Sequence, residues 1–158
     1  MSNPISPELT RGTIGELLVQ ARLLQYDVQA AAPLKDSGTD LIAIRGKEIR
    51  TIQVKATAGR QYGVPNQKKK YDILAAVRLV GENREVYFDQ CEIFLLRKEE
   101  LAGRSRSFSQ IGAMKLDRTR IDVLFPPEIS PNQSPRMPIG VTPDADAFVA
   151  PPPSIAGL

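Results

Sequence analysis

The run DLIAIRGKEIRTIQVK, residues 40–55, decides how this chain is read. Leu41 to Arg45 and Glu48 to Thr57 have the composition of two strands, and Gly46-Lys47 between them is a tight turn. An acid opens the run and a Gln-x-Lys closes it. Side chains alternate along a strand, so Ile52, Val54 and Ala56 share one face while Gln53 and Lys55 share the other, away from the main core. Twelve residues separate Asp40 from Gln53, so closing the hairpin brings the acid to the level of Gln53 and Lys55. Three polar groups then gather at one end of the hairpin.

Upstream, Thr10 or Thr13 caps a helix in which Ile14, Leu17, Leu18, Ala21 and Leu24 follow helical spacing. Glu16 lies with Val19 and Leu23 on another side, so the helix is covered on more than one face and Glu16 is not freely solvated. DVQAAAP (27–33) reads as a short strand ended by proline, followed by an Asp36-Ser-Gly turn. Downstream, residues 58–70 form a basic, turn-rich loop. YDILAAVRLV (71–80) suits a strand buried on both faces. Arg84 to Asp89 pairs with it through Gly81-Glu82-Asn83. Ile93 to Leu96 is a further short strand, Lys98 to Gly103 a helical turn, and Ile121 to Phe125 a last strand or helix end. A helix, a strand meander and then mixed elements predict an α/β or α+β domain around one sheet.

The length of 158 residues and a hydrophobic content of 42% suit one compact domain. No apolar run reaches membrane-spanning length and MSNPISPELTRG lacks the pattern of a signal peptide, so a cytoplasmic protein is expected. Cys91 is the lone cysteine and histidine is absent, which excludes an internal disulfide, a Cys/His zinc site and any histidine base. Nine of the thirteen prolines follow Phe125, which sets a boundary there. Residues 126–158 read as an extended or disordered Pro-rich tail, either a plain solvated terminus or a docking arm for a partner protein. That tail holds one basic and three acidic residues; of totals of 21 and 18, residues 1–125 keep 20 and 15. The surplus favours an anionic partner, weakly by itself.

The hairpin constellation suits phosphodiester hydrolysis. A hard divalent cation prefers oxygen ligands, which the Asp40 carboxylate, the Gln53 amide oxygen and the Val54 carbonyl could supply. Lys55 can orient the attacking water or steady the charge that develops in the transition state. Glu16, from the preceding helix, would complete the metal shell or help take a proton. An acid at this point of a helix also has an ordinary reading, as a charge stabilised by the helix dipole.

Gly15-Glu16, Asp36-Ser-Gly-Thr-Asp40 and Gln53-Val54-Lys55 together resemble the PD-(D/E)XK nuclease superfamily. The Gln-x-Lys form is similar to Mrr-type restriction endonucleases and to intron-encoded and resolvase-like nucleases, over residues 12–96. The resemblance implies an αβββαβ core around one mixed sheet in a nuclease-like domain spanning 1–125. It also implies magnesium-dependent endonucleolytic cleavage of duplex or branched DNA, manganese serving as a substitute, and a homodimer or larger homo-oligomer. Thr39 stands in place of the superfamily's proline, and Gln53 in place of the usual acid, which removes one negative ligand. Asp36 either compensates or simply forms the turn. A catalytically silent nuclease fold, used for nucleic-acid binding or protein assembly, is the alternative.

Arg60, Lys68, Lys69 and Lys70 bracket the loop just past Lys55, and such a loop can follow a phosphate backbone. It can equally be an ordinary soluble loop. Arg104, Arg106, Lys115, Arg118 and Arg120 form a second basic region, read as a solvated surface or a grip on DNA.

Overall fold

The computed structural model describes residues 5–35, 38–65, 70–82, 85–103 and 106–127. The expectations for Asp36, Lys68, Lys69, Arg104 and nearly all of the Pro-rich tail fall outside the described residues.

Helix α1 (Pro7–Leu24) starts earlier than either threonine would have it. Ser6 is the N-cap, its hydroxyl accepting the Leu9 N–H at 3.2 Å. Pro7 follows it, where a fixed φ helps and a missing donor is harmless. Thr10 sits inside the first turn and donates its hydroxyl to the Ser6 carbonyl at 3.1 Å. The covered side is also narrower than expected. Gly15, Leu18, Val19 and Leu23 are buried, whereas Leu17 and Leu24 are 59% and 62% exposed. The helix lies against one sheet face and nothing among the described residues covers the other side.

Strands β1 (Gln29–Ala31), β2 (Leu41–Arg45), β3 (Glu48–Thr57) and β4 (Ile73–Arg78) follow, then the short pair β5 (Gly81–Glu82) and β6 (Glu85–Val86), then β7 (Glu92–Arg97). Helix α2 (Arg118–Leu124) ends the described chain, so Ile121 to Leu124 is helical rather than a strand. The fold is α+β around one mixed sheet of order β1-β2-β3-β4-β7. Among the described strands of this sheet, β3 and β4 alone run parallel. Residues 58–72 make that crossover, and their described part holds no helix. The second helix instead follows the last strand, a placement different from the implied αβββαβ order. Gly59, Gly63 and Pro65 disfavour a helix in the described part of the crossover.

The expected pairing of Arg84 to Asp89 with the 71–80 strand is replaced by β4 against β7, Ile73 opposite Arg97. Only a fringe of it survives, in the bond from Tyr87 N–H to the Val80 carbonyl at 2.8 Å. Glu92–Arg97 contains the run Ile-Phe-Leu-Leu, which can bury both faces; the 84–89 segment cannot.

Each sheet face has its own apolar cluster. On one, Leu41, Ile52, Val54, Ala75 and Leu95 meet Leu18, Val19 and Leu23 of α1 and Ile121, Leu124 and Phe125 at α2. On the other, Leu74, Ala76, Phe94 and Leu96 are covered by Tyr62, Phe108 and Ile111 from the loops. Among the described residues no helix is long and apolar enough to cross a membrane.

Candidate active site

The hairpin turn is closed by Gly46 at φ 58°, a conformation glycine takes freely, and it sets Leu41 opposite Ile52. Asp40 therefore stands beside Gln53, its N–H bonded to the Ile52 carbonyl at 3.0 Å. Asp40 Oδ2 accepts two hydrogen bonds, one from Gln53 Nε2 and one from the Val54 N–H at 2.6 Å. The role of the Val54 amide is not visible in the spacing of residue types, because it belongs to the backbone.

Gln53 is 2% exposed. Its face of the sheet is the second apolar layer rather than solvent, with Leu74 as its neighbour on β4. Its Oε1 is buried and has no hydrogen-bond partner among the described residues. Leaving such an oxygen unsatisfied costs about 1–3 kcal/mol, so it stands out as an atom prepared for a ligand.

Glu16, on α1, is half-buried and lies near enough to Asp40 to feel its charge. Burial pushes its carboxyl above the ordinary value of 4.5, and the nearby Asp40 charge pushes it further. Two carboxylates that repel one another, beside an unpaired amide oxygen, make a set of hard oxygen donors. Among the described residues no three Asp, Glu, Cys or His side chains gather, so a cation here would rest on Glu16, Asp40 and neutral oxygens. One further oxygen follows from strand geometry. The N–H and C=O of a strand residue point the same way, so the Val54 carbonyl faces the Asp40 side. Beyond Ile52 that edge of β3 has no strand partner among the described residues, since β2 begins at Leu41.

Lys55 lies on the Gln53 face, half-buried, two residues on. A Cβ on Gly63 would stand 3.5 Å from Lys55 Cδ, so the loop packs along the lysine stem. The Lys55 side chain makes no hydrogen bond or ion pair with a described residue. The structure thus joins Asp40 and Gln53 directly, sets Glu16 near enough to Asp40 to feel its charge, and places Lys55 on the Gln53 face two residues on.

Of the loop cations, Arg60 and Lys70 are exposed. Most of the second basic region is committed elsewhere. Lys115 pairs with Glu92 at 2.9 Å, Arg118 lies 3.8 Å from Asp27, and the buried Arg120 pairs with Glu100. Arg106 alone of its described members makes no ion pair with a described residue.

No protein-family model and no curated protein matches this chain. Among solved structures the fold is similar to that of a bacterial homing endonuclease, I-Ssp6803I. The likeness covers 76% of this chain and 92% of that one, with a TM-score of 0.50 and 15% identity. At that identity it is a likeness of fold: the chain has a nuclease-like fold.

Proposed function

We propose that the protein is a metal-dependent endonuclease of the PD-(D/E)XK type, in its Gln-x-Lys form, that hydrolyses DNA phosphodiester bonds. One observation carries the reading: the buried Gln53 Oε1, without a hydrogen-bond partner among the described residues, on a side chain that Asp40 holds in place. The nuclease-like fold supports it. A bound magnesium or manganese ion would lower the pKa of a coordinated water and offset phosphate charge. Glu16, Asp40, Gln53 and the Val54 carbonyl would hold it. Glu16 would serve either as one of those ligands or, outside the metal shell, as the carboxylate that takes the proton of the attacking water. Lys55 supplies positive charge that would steady the phosphate oxygens as the water oxygen adds to phosphorus and the electron pair of the breaking P–O bond passes to the leaving oxygen.

The test is cleavage of duplex, branched and single-stranded DNA by the parent, Asp40→Asn and Lys55→Ala, with magnesium and with chelator. Asparagine is chosen because Asp40→Ala would strand two donors, Gln53 Nε2 and the Val54 N–H. Metal-dependent cutting by the parent and at least about 100-fold loss in both variants is expected. A parent that cuts nothing, or variants that cut equally well, would overturn the proposal.

A silent nuclease fold is favoured by one detail: Asp40 Oδ2 is already engaged by two internal donors. Calorimetric titration with magnesium and manganese separates the readings, because a silent module binds neither at this site.

A further inference from the structure

We infer that Arg60 and Arg106 together form a seat for backbone phosphates of a nucleic acid, beside the Gln53–Lys55 surface. This deepens the nuclease reading and rests on it. The two arginines belong to basic segments far apart in sequence, and a short antiparallel ribbon unites them. Gln61 bridges Ser107, the Tyr62 N–H donates to the Arg106 carbonyl at 2.9 Å, and the Phe108 N–H donates to the Arg60 carbonyl at 3.3 Å. Arg60 therefore stands opposite Phe108 and Arg106 opposite Tyr62. Positions in that relation are diagonal neighbours, about 7–8 Å apart.

The ribbon is anchored. Tyr62 and Phe108 are 2% and 6% exposed, with ring centroids 5.5 Å apart, so the backbone carrying both arginines is fixed to the sheet. Both arginines are exposed, and neither makes an ion pair with a described residue. No acidic residue occurs in 58–65 or 106–110. The same loop places Gly63 against the Lys55 stem, which puts the seat next to the candidate site. Guanidinium groups present paired donors matched to phosphate oxygens, so an anion with a diester backbone is the ligand this arrangement suits.

The experiment is binding of labelled duplex DNA by fluorescence anisotropy over a salt series, in chelator so that nothing is cut. Arg60→Ala, Arg106→Ala, their combination and Arg106→Lys are compared with Arg118→Ala, which removes equal charge at a position facing Asp27. Each seat variant is expected to weaken binding several-fold and to lower the slope of log K against log salt by about one, the double variant by about two. Arg106→Lys should keep the slope, and Arg118→Ala should match the parent. If the parent binds DNA but Arg106→Ala keeps its affinity and slope, or Arg118→Ala falls equally, the seat is overturned and the nuclease reading stands. A parent with no affinity for DNA overturns both.

Discussion

Gly15 and Ala56 stand so close that a methyl group added to the glycine would lie 2.6 Å from Ala56 Cβ. Helix α1 thus meets β3 with nothing between, and the next residue along the helix is Glu16. A glycine in an open helix interior costs about 1 kcal/mol relative to alanine, whereas overfilling a packed contact costs about 1–3 kcal/mol. The second effect wins here. Gly15→Ala should lower stability by about 1–2 kcal/mol in urea unfolding. Cleavage, measured where the variant is still folded, should fall by about tenfold or more, since a shift of the helix carries Glu16 away from Asp40. A Gly15→Ala protein more stable than the parent would show that the contact relaxes freely.

Replacing Gln53 by glutamate should reverse its relation to Asp40. Gln53 Nε2 now donates to Asp40 Oδ2; a glutamate would set two carboxylates face to face in a nearly water-free setting. In chelator, Gln53→Glu should lose about 2–4 kcal/mol. Manganese or magnesium should then raise its melting temperature more than the parent's. Equal stability of the two proteins in chelator would count against the geometry.

A second carboxylate predicts the acid limb of the stability profile. Burial pushes Glu100 upward, but hydrogen bonds from the Arg120 side chain and the Arg97 N–H, with the charges of both arginines, outweigh it and hold the carboxyl below 4.5. A lowered folded-state pKa stabilises the fold above the ordinary value, and that contribution is lost as pH falls through the folded one. Glu100→Gln should therefore be less stable than the parent by about 1.5–3 kcal/mol at neutral pH. The difference should shrink below pH 4.5, read by thermal unfolding across pH. A gap independent of pH would place the effect in packing rather than charge.

Much of the site's scaffold could be read from residue order, because it is local. The alternation in 41–57 and the Gly46 turn are short-range features, and the register they imply puts Asp40 beside Gln53. The apolar run of β4 was legible for a similar reason. What alternation cannot say is what lies above each face. The Gln53 face reads as polar in the sequence, yet Tyr62, Phe108 and Ile111 arrive from distant loops to cover the adjoining strands. Strand partnership fails likewise: β7 displaces the nearer 84–89 segment at β4 because pairing is decided by burial on both sides, not by proximity in the chain. Ser6 was passed over because Thr10 and Thr13 are equally good caps by type, and only the tertiary placement of α1 chooses among them.

The open flank of β3 beyond Ile52 carries a hazard unrelated to catalysis. Unpaired main-chain groups in a row invite a foreign strand to add itself, the first step of edge-to-edge aggregation. Here the Asp40 carboxylate already occupies the Val54 N–H and sets a charge on that flank, which discourages such an addition. Substitutions that remove the Asp40 carboxylate should therefore be watched for loss of solubility as well as for their effect in the cleavage assay.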